Sequence, residues 1–318
     1  MKKIDILLAG ALVAGASMTS CLHDPKTSQE VTLNYGGEKA FNRVTDLESG
    51  DVTISVNPNY KMTYSGEGNE STGRLTMDMT GISLGIPGLA FRLNDLTFKY
   101  DNMPAYYGTT AENVTPVGTG GGYVFDKFRM YNIIGRVIEG QQCPVYTISF
   151  TVNNRYQVTV LPAELILVGK PYATQTGEDK TFDTKKSILT IQINPQKMEA
   201  DVQIAKAQFR QSMAETNLLL TGLAVTTNAD GYTISLPEGV EQMPLKTGSN
   251  QAMEDSYVTD FALSFDVNTG RTSLNAKYTV KLYDTAETFD VKLDMGLSLT
   301  HLRAHETLMN IVWPRKLE

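Results

Sequence analysis

Apolar and polar residues alternate along most of the chain after Val31, and the apolar positions are rich in β-branched and aromatic side chains. Gly, Asn, Asp and Pro interrupt these runs at short intervals. Alternation with a period of two is typical of β-strands that bury one face, and the interrupting residues are those favoured in turns. The clearest predicted strands are residues 52–56, 75–79, 96–100, 146–152 and 156–160.

Only one stretch in the body of the chain favours a helix. Residues 204–216 are rich in Ala and Gln, which suit a helix, although the residues just before them alternate like a strand. We therefore predict a helix over residues 204–216. The pattern contains no helices that could cross over between parallel strands, and this argues against a parallel sheet.

The alternating pattern is repeated within the chain. Residues 53–58 (Thr-Ile-Ser-Val-Asn-Pro) resemble residues 190–195 (Thr-Ile-Gln-Ile-Asn-Pro), and five shorter matches follow in the same order. These matches begin at residues 80 and 221, 123 and 257, 135 and 270, 146 and 278, and 156 and 289. All six spacings lie between 132 and 141 residues, as expected for one ancestral unit that was copied once and then altered in its loops. The polar stretch 177–183 is the predicted boundary between the copies.

Each copy of about 130 residues contains about seven or eight strand-like segments at intervals of roughly 8 to 12 residues. This spacing is typical of an antiparallel sandwich or a small up-and-down barrel. The predicted fold is therefore all-β, a tandem duplication of an antiparallel β-barrel or β-sandwich unit. The simple order of the segments slightly favours a barrel or a partly open barrel, and a Greek-key sandwich fits the same alternation.

The N-terminus has the pattern of a targeting signal. Lys2 and Lys3 precede an apolar run, residues 6–18, which is too short to span about 30 Å of hydrocarbon. The segment Met18-Thr-Ser-Cys21 resembles the lipobox of bacterial lipoproteins, with Met18 in place of the usual Leu. The resemblance implies cleavage before Cys21 and fatty acylation of this cysteine, and several buried acyl chains anchor a protein stably to a membrane.

These features divide the chain into five segments. We predict a signal peptide in residues 1–20, a lipidated tether in 21–30, a first β-domain in 31–180, a second β-domain in 183–300 and a C-terminal tail in 301–318. An ordinary secretory signal followed by a chance cysteine is the alternative to the lipid anchor.

Composition restricts the partners and the compartment. The formal net charge is −7, and no run of Lys or Arg could follow a phosphate backbone, so a nucleic-acid partner is not expected. Cys143 is the one cysteine besides Cys21, so an acylated chain can form no internal disulfide and depends on packing for its stability. The predicted location is the outer membrane, with attachment through the N-terminal lipid.

The lipobox together with two β-repeats resembles the cell-surface lipoproteins of Bacteroidetes. The second copy is similar to the calycin-like, lipocalin-shaped repeats of that group, and the likeness lies in residues 194–236, which include Met213 and the segment Gly231-Tyr-Thr-Ile234. This motif is a packing pattern without catalytic residues. The resemblance implies a role in binding or scaffolding at the outer membrane.

Patterns for catalysis and metal binding are weak. His301 and His305 are four residues apart, which would place both imidazoles on one face of a helix, but no third ligand is fixed near them and no metal site is predicted. Residues 118–122 (Gly-Thr-Gly-Gly-Gly) lack the lysine of a phosphate-binding loop and are interpreted as a hairpin connection. No nucleophile is placed with a histidine base. We therefore predict no enzyme activity, no catalytic residue and no cofactor.

Two further pairs of residues are candidate sites. Asp126 and Asp260 are the acidic pair that the repeat singles out, and we interpret them as turn or strand-end residues that bond local backbone amides. Tyr106 and Tyr107 lie in a predicted long loop and are the candidate ligand-binding residues, because exposed aromatic rings can stack on a sugar or another flat ligand.

Three functions are compatible with these patterns. The first is a non-enzymatic lipoprotein that binds a small apolar ligand, a glycan or an envelope protein. An apolar cavity inside a closed barrel would favour a ligand carrier, and filled cores would favour a scaffold or an adhesin. The second is a fimbrial or assembly subunit, which requires an exchangeable edge strand and a groove that accepts one. The third is a hydrolase of surface glycans, which requires two convergent carboxylates in a cleft.

Overall fold

The computed structural model describes most of the chain between residues 29 and 295. The described residues are 29–66, 72–86, 89–99, 105–109, 111–120, 122–138, 145–176, 181–183, 187–282 and 285–295. Cys21, Cys143, His301 and His305 lie outside these residues, so what was predicted for them stays a prediction. Among the residues described, no helix has the length and apolar character needed to span a membrane.

The first antiparallel sheet has eleven described strands. Their bounds are β1 (Gln29–Gly36), β2 (Ala40–Asp46), β3 (Val52–Val56), β4 (Asn59–Gly66), β5 (Thr72–Thr80), β6 (Ala90–Lys99), β7 (Ala105–Gly108), β8 (Val117–Gly120), β9 (Met130–Ile138), β10 (Val145–Val152) and β11 (Tyr156–Pro162). A 3₁₀ turn, Gly37–Lys39, joins β1 to β2. The strand order is β1-β4-β5-β6-β7-β9-β10-β11-β2-β3, and β8 pairs with β6.

The second antiparallel sheet also has eleven described strands. Their bounds are β12 (Glu164–Gly169), β13 (Tyr172–Gln175), β14 (Thr181–Asp183), β15 (Ser187–Asn194), β16 (Glu199–Ala207), β17 (Thr216–Asn228), β18 (Gly231–Ser235), β19 (Met243–Thr247), β20 (Ala252–Asp266), β21 (Thr272–Leu282) and β22 (Thr285–Met295). The strand order is β12-β15-β16-β17-β18-β20-β21-β22-β13-β14, and β19 pairs with β17 and β20.

The two sheets have the same topology. Each strand of the first sheet corresponds to the strand eleven places later in the chain, and every neighbour relation along the two main strand orders is repeated. The prediction of an all-β fold built from a repeated antiparallel unit is therefore confirmed. We call β1–β11 the first unit and β12–β22 the second unit.

The sequence matches reveal that the chain contains a repeat, but they do not show which strands of the two copies correspond. The last two matches pair β10 with β21 and β11 with β22, which are equivalent strands. The longest match pairs residues 53–58, in β3 and just after it, with residues 190–195, in and just after β15, although β3 corresponds to β14. Short alternating strands resemble one another whatever their place in a sheet. Their order along the chain is therefore more informative than any one match.

The boundary between the units differs from the predicted one. We expected it near residues 177–183, but β12, β13 and β14 already belong to the second sheet, and the change of sheet occurs at Ala163. Ala163 bonds to both units, because its N–H donates to Lys39 O in the 3₁₀ turn of the first unit and its carbonyl accepts from Ile193 N in β15 of the second. Residues 181–183 of the polar stretch form β14, which pairs with β13, so this stretch lies inside the second unit, and a polar composition alone does not mark a boundary between units.

The predicted helix over residues 204–216 is wrong. Residues 204–207 complete β16, and residues 208–215 form an irregular connection to β17. Phe209 in this connection is buried, and its ring stacks on Tyr278 of β21 with centroids 5.1 Å apart. Burial of apolar side chains against the barrel overrides the helix propensity of this stretch.

Large side chains fill the concave face of each sheet. The fully buried ones include Phe91, Phe150, Met77, Leu93 and Leu96 in the first unit and Phe209, Phe289, Tyr232 and Tyr278 in the second. The first sheet curls on itself, because the Tyr60 hydroxyl of β4 donates to Asn42 Oδ1 of β2 at 3.1 Å, across nearly the whole strand order. In the second sheet β12 lies against β22. The two antiparallel sheets are thus barrel-like units whose concave faces are packed with their own side chains.

The two units pack on each other through apolar surface. Phe41 and Leu161 alternate with residues of the first unit's core, so they lie on its outer face, yet both are fully buried in the core cluster of the second unit. On the same outer face, the Thr159 hydroxyl donates to Ala229 O at 3.4 Å. Tyr35 contacts the cores of both units. The junction is therefore a continuous part of the hydrophobic core.

Candidate functional site

A groove of about 660 Å³ lies between the two units. Its first wall is formed by Ile54, Ser55 and Val56 of β3 and by Gly81, Ile82, Ser83, Ile86 and Leu89 from the connection after β5. Its second wall is formed by Pro195, Gln196 and Met198, in the turn between β15 and β16. We call these eleven lining residues the groove. The volume is that of an ordinary ligand pocket, for which roughly 300–1,000 Å³ is usual.

No groove residue carries a charge, although the chain has a net charge of −7. Seven of the eleven are apolar, and the polar side chains are those of Ser55, Ser83 and Gln196. The groove therefore offers no carboxylate, imidazole or thiol for acid–base or nucleophilic chemistry. An apolar wall with few hydrogen-bonding groups suits an apolar segment better than a sugar.

A buried hydrogen-bond network fixes the first wall. Asn42 of β2 is fully buried, and its Nδ2 donates to Ser55 Oγ and to Gly81 O, each at 3.1 Å. Its Oδ1 accepts from the Tyr60 hydroxyl at 3.1 Å. Gly81 has φ of +77°, and a Cβ atom there would lie 2.5 Å from Asn57 O, so the site requires glycine. The Asn42 amide thus ties β3 to the connection after β5 in one geometry.

Burial keeps the hydroxyl of Tyr60 neutral. Desolvation raises the pKa of Tyr60 well above its ordinary value, and the nearby phenols of Tyr107 and Tyr35 raise this pKa further. The Tyr35 ring stacks on Tyr60 with centroids 6.4 Å apart and meets the Tyr146 ring edge-on at 5.3 Å. These rings form a packed aromatic layer next to the Asn42 network, so the first wall rests on rigid support.

The second wall is a tight turn held by local hydrogen bonds. Asn194 Oδ1 accepts from the N–H groups of Gln196 at 3.1 Å and Lys197 at 3.2 Å, which forms an Asx turn. Met198 has φ of 54°, a left-handed conformation that side chains rarely adopt. Its carbonyl accepts from Val225 N at 2.9 Å. The turn is therefore anchored to β17, and it holds Met198 at the groove.

The sequence predicted Tyr107 as an exposed ligand-binding residue. The structure places it in the core. Tyr106 and Tyr107 belong to β7 and not to a long loop, and Tyr107 is 1% exposed. Its hydroxyl donates to Thr147 O at 2.7 Å, and burial raises its pKa well above the ordinary value. The side chain of Tyr106 lies outside the described part of the structure. A strand of four residues is too short for its alternation to be recognised.

Gly135 of β9 packs directly against the Tyr107 ring. A Cβ atom at residue 135 would lie 2.0 Å from two ring carbons of Tyr107. We expect Gly135→Ala to lower the free energy of unfolding by about 1–3 kcal/mol through overpacking. Urea unfolding measures this loss. In a Tyr107→Ala background the same change should cost much less, and an equal cost in both backgrounds would contradict the contact.

The other sequence candidates do not converge on one site. Asp126 is exposed in the turn before β9, and Asp260 is exposed at a bulge of β20, 3.6 Å from Lys277 Nζ. Residues 118–120 belong to β8, so they are not the predicted hairpin connection. Within the described ranges, no three His, Cys, Asp or Glu side chains cluster as a metal site requires.

The groove was not predicted from the sequence, although one signal pointed toward it. The repeated hexapeptides, residues 53–58 and 190–195, both contribute lining residues, and they do so on opposite walls. They occupy strands that are not equivalent in the two units. Their meeting therefore depends on how the units pack, which the repeat does not encode.

Comparisons with known proteins do not assign this geometry to a family. No family model matches the chain, and no curated protein matches it.

Proposed function

We propose that this protein is a non-enzymatic, exported lipoprotein that binds an envelope protein through the groove between its two units. The uncharged, mainly apolar lining of the groove is the observation that carries this proposal. Buried side chains pack the concave faces of both sheets, which favours a partner at the surface over a carried ligand.

A protein partner fits the groove better than a glycan. Sugar binding depends on several free polar groups, and here the Ser55 hydroxyl already accepts a hydrogen bond from Asn42. Ser83 and Gln196 are the remaining polar side chains of the lining. A glycan hydrolase would also need convergent carboxylates, which the lining does not contain. Apolar surface of this kind is what a protein partner covers.

The location at the outer membrane rests on two resemblances. The segment that ends at Cys21 resembles a lipobox, and residues 194–236 resemble the calycin-like repeats of Bacteroidetes surface lipoproteins. An acylated Cys21 would hold the first unit close to the membrane through the short tether, residues 21–30.

Replacing Cys21 by serine tests the anchor. We expect the wild-type chain to incorporate labelled palmitate and to partition with the envelope, and Cys21→Ser to do neither, because serine cannot serve as the acylated cysteine of a lipobox. Cys143→Ser is the matched control and should behave like the wild type. Palmitate in Cys21→Ser, or its loss in Cys143→Ser, would contradict the proposed anchor.

A photo-crosslinking side chain at position 196 tests the partner. Gln196 is an exposed groove residue, and Val240 is an exposed residue of the second unit outside the groove. In intact cells we expect position 196 to give a discrete protein adduct that position 240 does not give. The same adducts at both positions, or none at position 196, would rule out a partner in the groove.

A further inference from the structure

We infer that the partner enters the groove as an extended, uncharged segment that adds to β3 as a further strand. This inference rests on the proposed function and specifies the segment that the groove recognises. β3 is the last strand in the order of the first sheet, and within the described residues it pairs with β2 alone. An open strand edge beside an apolar groove is a template for strand addition.

The register of the β2–β3 hairpin shows which backbone groups are free. Asp46 N donates to Asp51 O at 2.9 Å, so these residues form a hydrogen-bonded pair at the start of the ladder. Hydrogen-bonded and non-hydrogen-bonded pairs alternate along an antiparallel ladder. The residues whose N–H and C=O groups point to the open side are therefore Val52, Ile54 and Val56.

Two of these three residues line the groove. The outward groups of Ile54 and Val56 are spaced by two residues, about 6.6 Å, which is the repeat of an incoming strand. No backbone hydrogen bond joins them to another residue that the structure describes. The Asn42 amide holds Ser55 between them, so this edge is already positioned before a partner arrives.

The walls of the groove select the side chains of the added strand. Ile82, Ile86 and Leu89 on one side and Met198 on the other are apolar, and no groove residue could neutralise a charge. Because a charge buried against this uncharged lining would have no partner, charge complementarity selects a segment without Asp, Glu, Lys or Arg. Since a strand presents alternate residues to each side, the segment needs apolar residues at every second position. Val52, which is 47% exposed, continues this apolar edge beyond the groove.

Among the described residues, the equivalent edge of the second unit is shorter. β14 corresponds to β3 in the repeated topology, but it has three residues where β3 has five. Very short edge strands are one way in which proteins avoid strand addition. Among the described strands, the longer of the two equivalent edges therefore lies in the first unit.

A short synthetic strand serves as the probe. Acetyl-Thr-Val-Thr-Val-Thr-Val-Thr-amide is uncharged, and its control carries Lys in place of the central Val. With the chain from residue 22 to residue 318, calorimetry should show binding of the probe with a negative heat-capacity change, and about tenfold weaker binding of the Lys control. Hydrogen exchange should show added protection of the amides in β3 when the probe is bound.

Two variants remove the site in different ways. Val56→Pro removes an N–H that the β2 ladder does not use, and edge strands tolerate proline. Gln196→Glu places a charge in the groove on an exposed side chain. Each should weaken probe binding by about tenfold or more. Gln251→Glu is the matched control, because it places the same charge on an exposed residue outside the groove, and it should change probe binding by less than about threefold.

Several results would overturn the inference. Absence of probe binding, or equal binding to wild type and Val56→Pro, would exclude strand addition at β3. Self-association that Val56→Pro abolishes would identify a second copy as the occupant, and protection of β3 without the probe would identify the chain's own residues. A crosslink at position 196 that persists in Val56→Pro would keep the partner and reject the strand. If the chain with the photo-crosslinking side chain at position 196 and no other change gave no protein adduct, both proposals would be rejected.

Discussion

Replacing Phe41 by alanine is expected to lower the free energy of unfolding by about 3–5 kcal/mol and to loosen both units. Phe41 belongs to β2 of the first unit, is 0% exposed and lies in the core cluster of the second unit. Truncation would therefore open a cavity at the junction, where both units lose packing. Urea unfolding measures the loss, and hydrogen exchange should become faster in the second unit as well as in β2.

Phe150→Ala is the matched control for this prediction. Phe150 is buried to the same degree, 1% exposed, but it lies in the core cluster of the first unit alone. Its truncation should cost a similar free energy and leave exchange in the second unit unchanged. If Phe41→Ala also affected the first unit alone, the two units would not share a core at this junction.

The protein is expected to lose stability steeply above about pH 10. Burial raises the pKa of Tyr60, Tyr107, Tyr232 and Tyr278 in the folded chain. Above the ordinary tyrosine pKa these phenols stay protonated when folded and ionise when unfolded, so the folded chain binds more protons. Between the ordinary tyrosine pKa and its own folded-state pKa, each buried tyrosine then lowers the free energy of unfolding by about 1.4 kcal/mol per pH unit. Below about pH 10 the stabilising effect of each tyrosine is fully present.

Tyr278→Phe tests the alkaline transition with little change in packing. The Tyr278 hydroxyl is buried and has no hydrogen-bond partner among the described residues. Its removal should leave stability at neutral pH unchanged or raised, and should reduce the alkaline slope by about 1.4 kcal/mol per pH unit. Urea unfolding between about pH 7 and pH 11, with phenolate absorbance recorded on the same samples, measures both effects. An unchanged slope would mean that this phenol does not stay protonated in the folded chain.

The groove combines a supported wall with an open backbone edge. Asn42 and Tyr60 use their side-chain hydrogen-bonding groups inside the first unit, and the outward backbone groups of Ile54 and Val56 on β3 have no partner among the described residues. A partner strand would therefore satisfy unpaired backbone groups without breaking existing bonds. Recognition in this arrangement would depend on backbone pairing and apolar fit more than on charge.

Local patterns in the sequence determined the class of the fold. Alternation of apolar and polar residues specifies which face of a strand is buried, and it is visible within a few residues, as in β3 and β10. The repeat was visible because six weak matches keep their order. The segment that ends at Cys21 and resembles a lipobox is a local pattern of the same kind, and acylation of Cys21 stays a prediction.

The tertiary structure decided what depends on contacts between distant residues. Pairing of β12 with β15 and of β13 with β22 assigned residues 164–175 to the second unit. The polar composition of residues 177–183 had predicted the boundary after these residues. Burial of Phe209 against Tyr278 overrode a helix propensity. Tyr107 entered the core because Gly135 of another strand leaves room for its ring.

The groove shows this division most clearly. Ile54 and Met198 lie far apart in the sequence and line the same groove, because Phe41 and Leu161 bury the outer face of the first unit against the second. Alternation within a strand specifies that a face is buried, but it does not specify which surface covers that face. The sequence alone therefore determined the strands and the repeat, and the packing of one unit on the other created the candidate site.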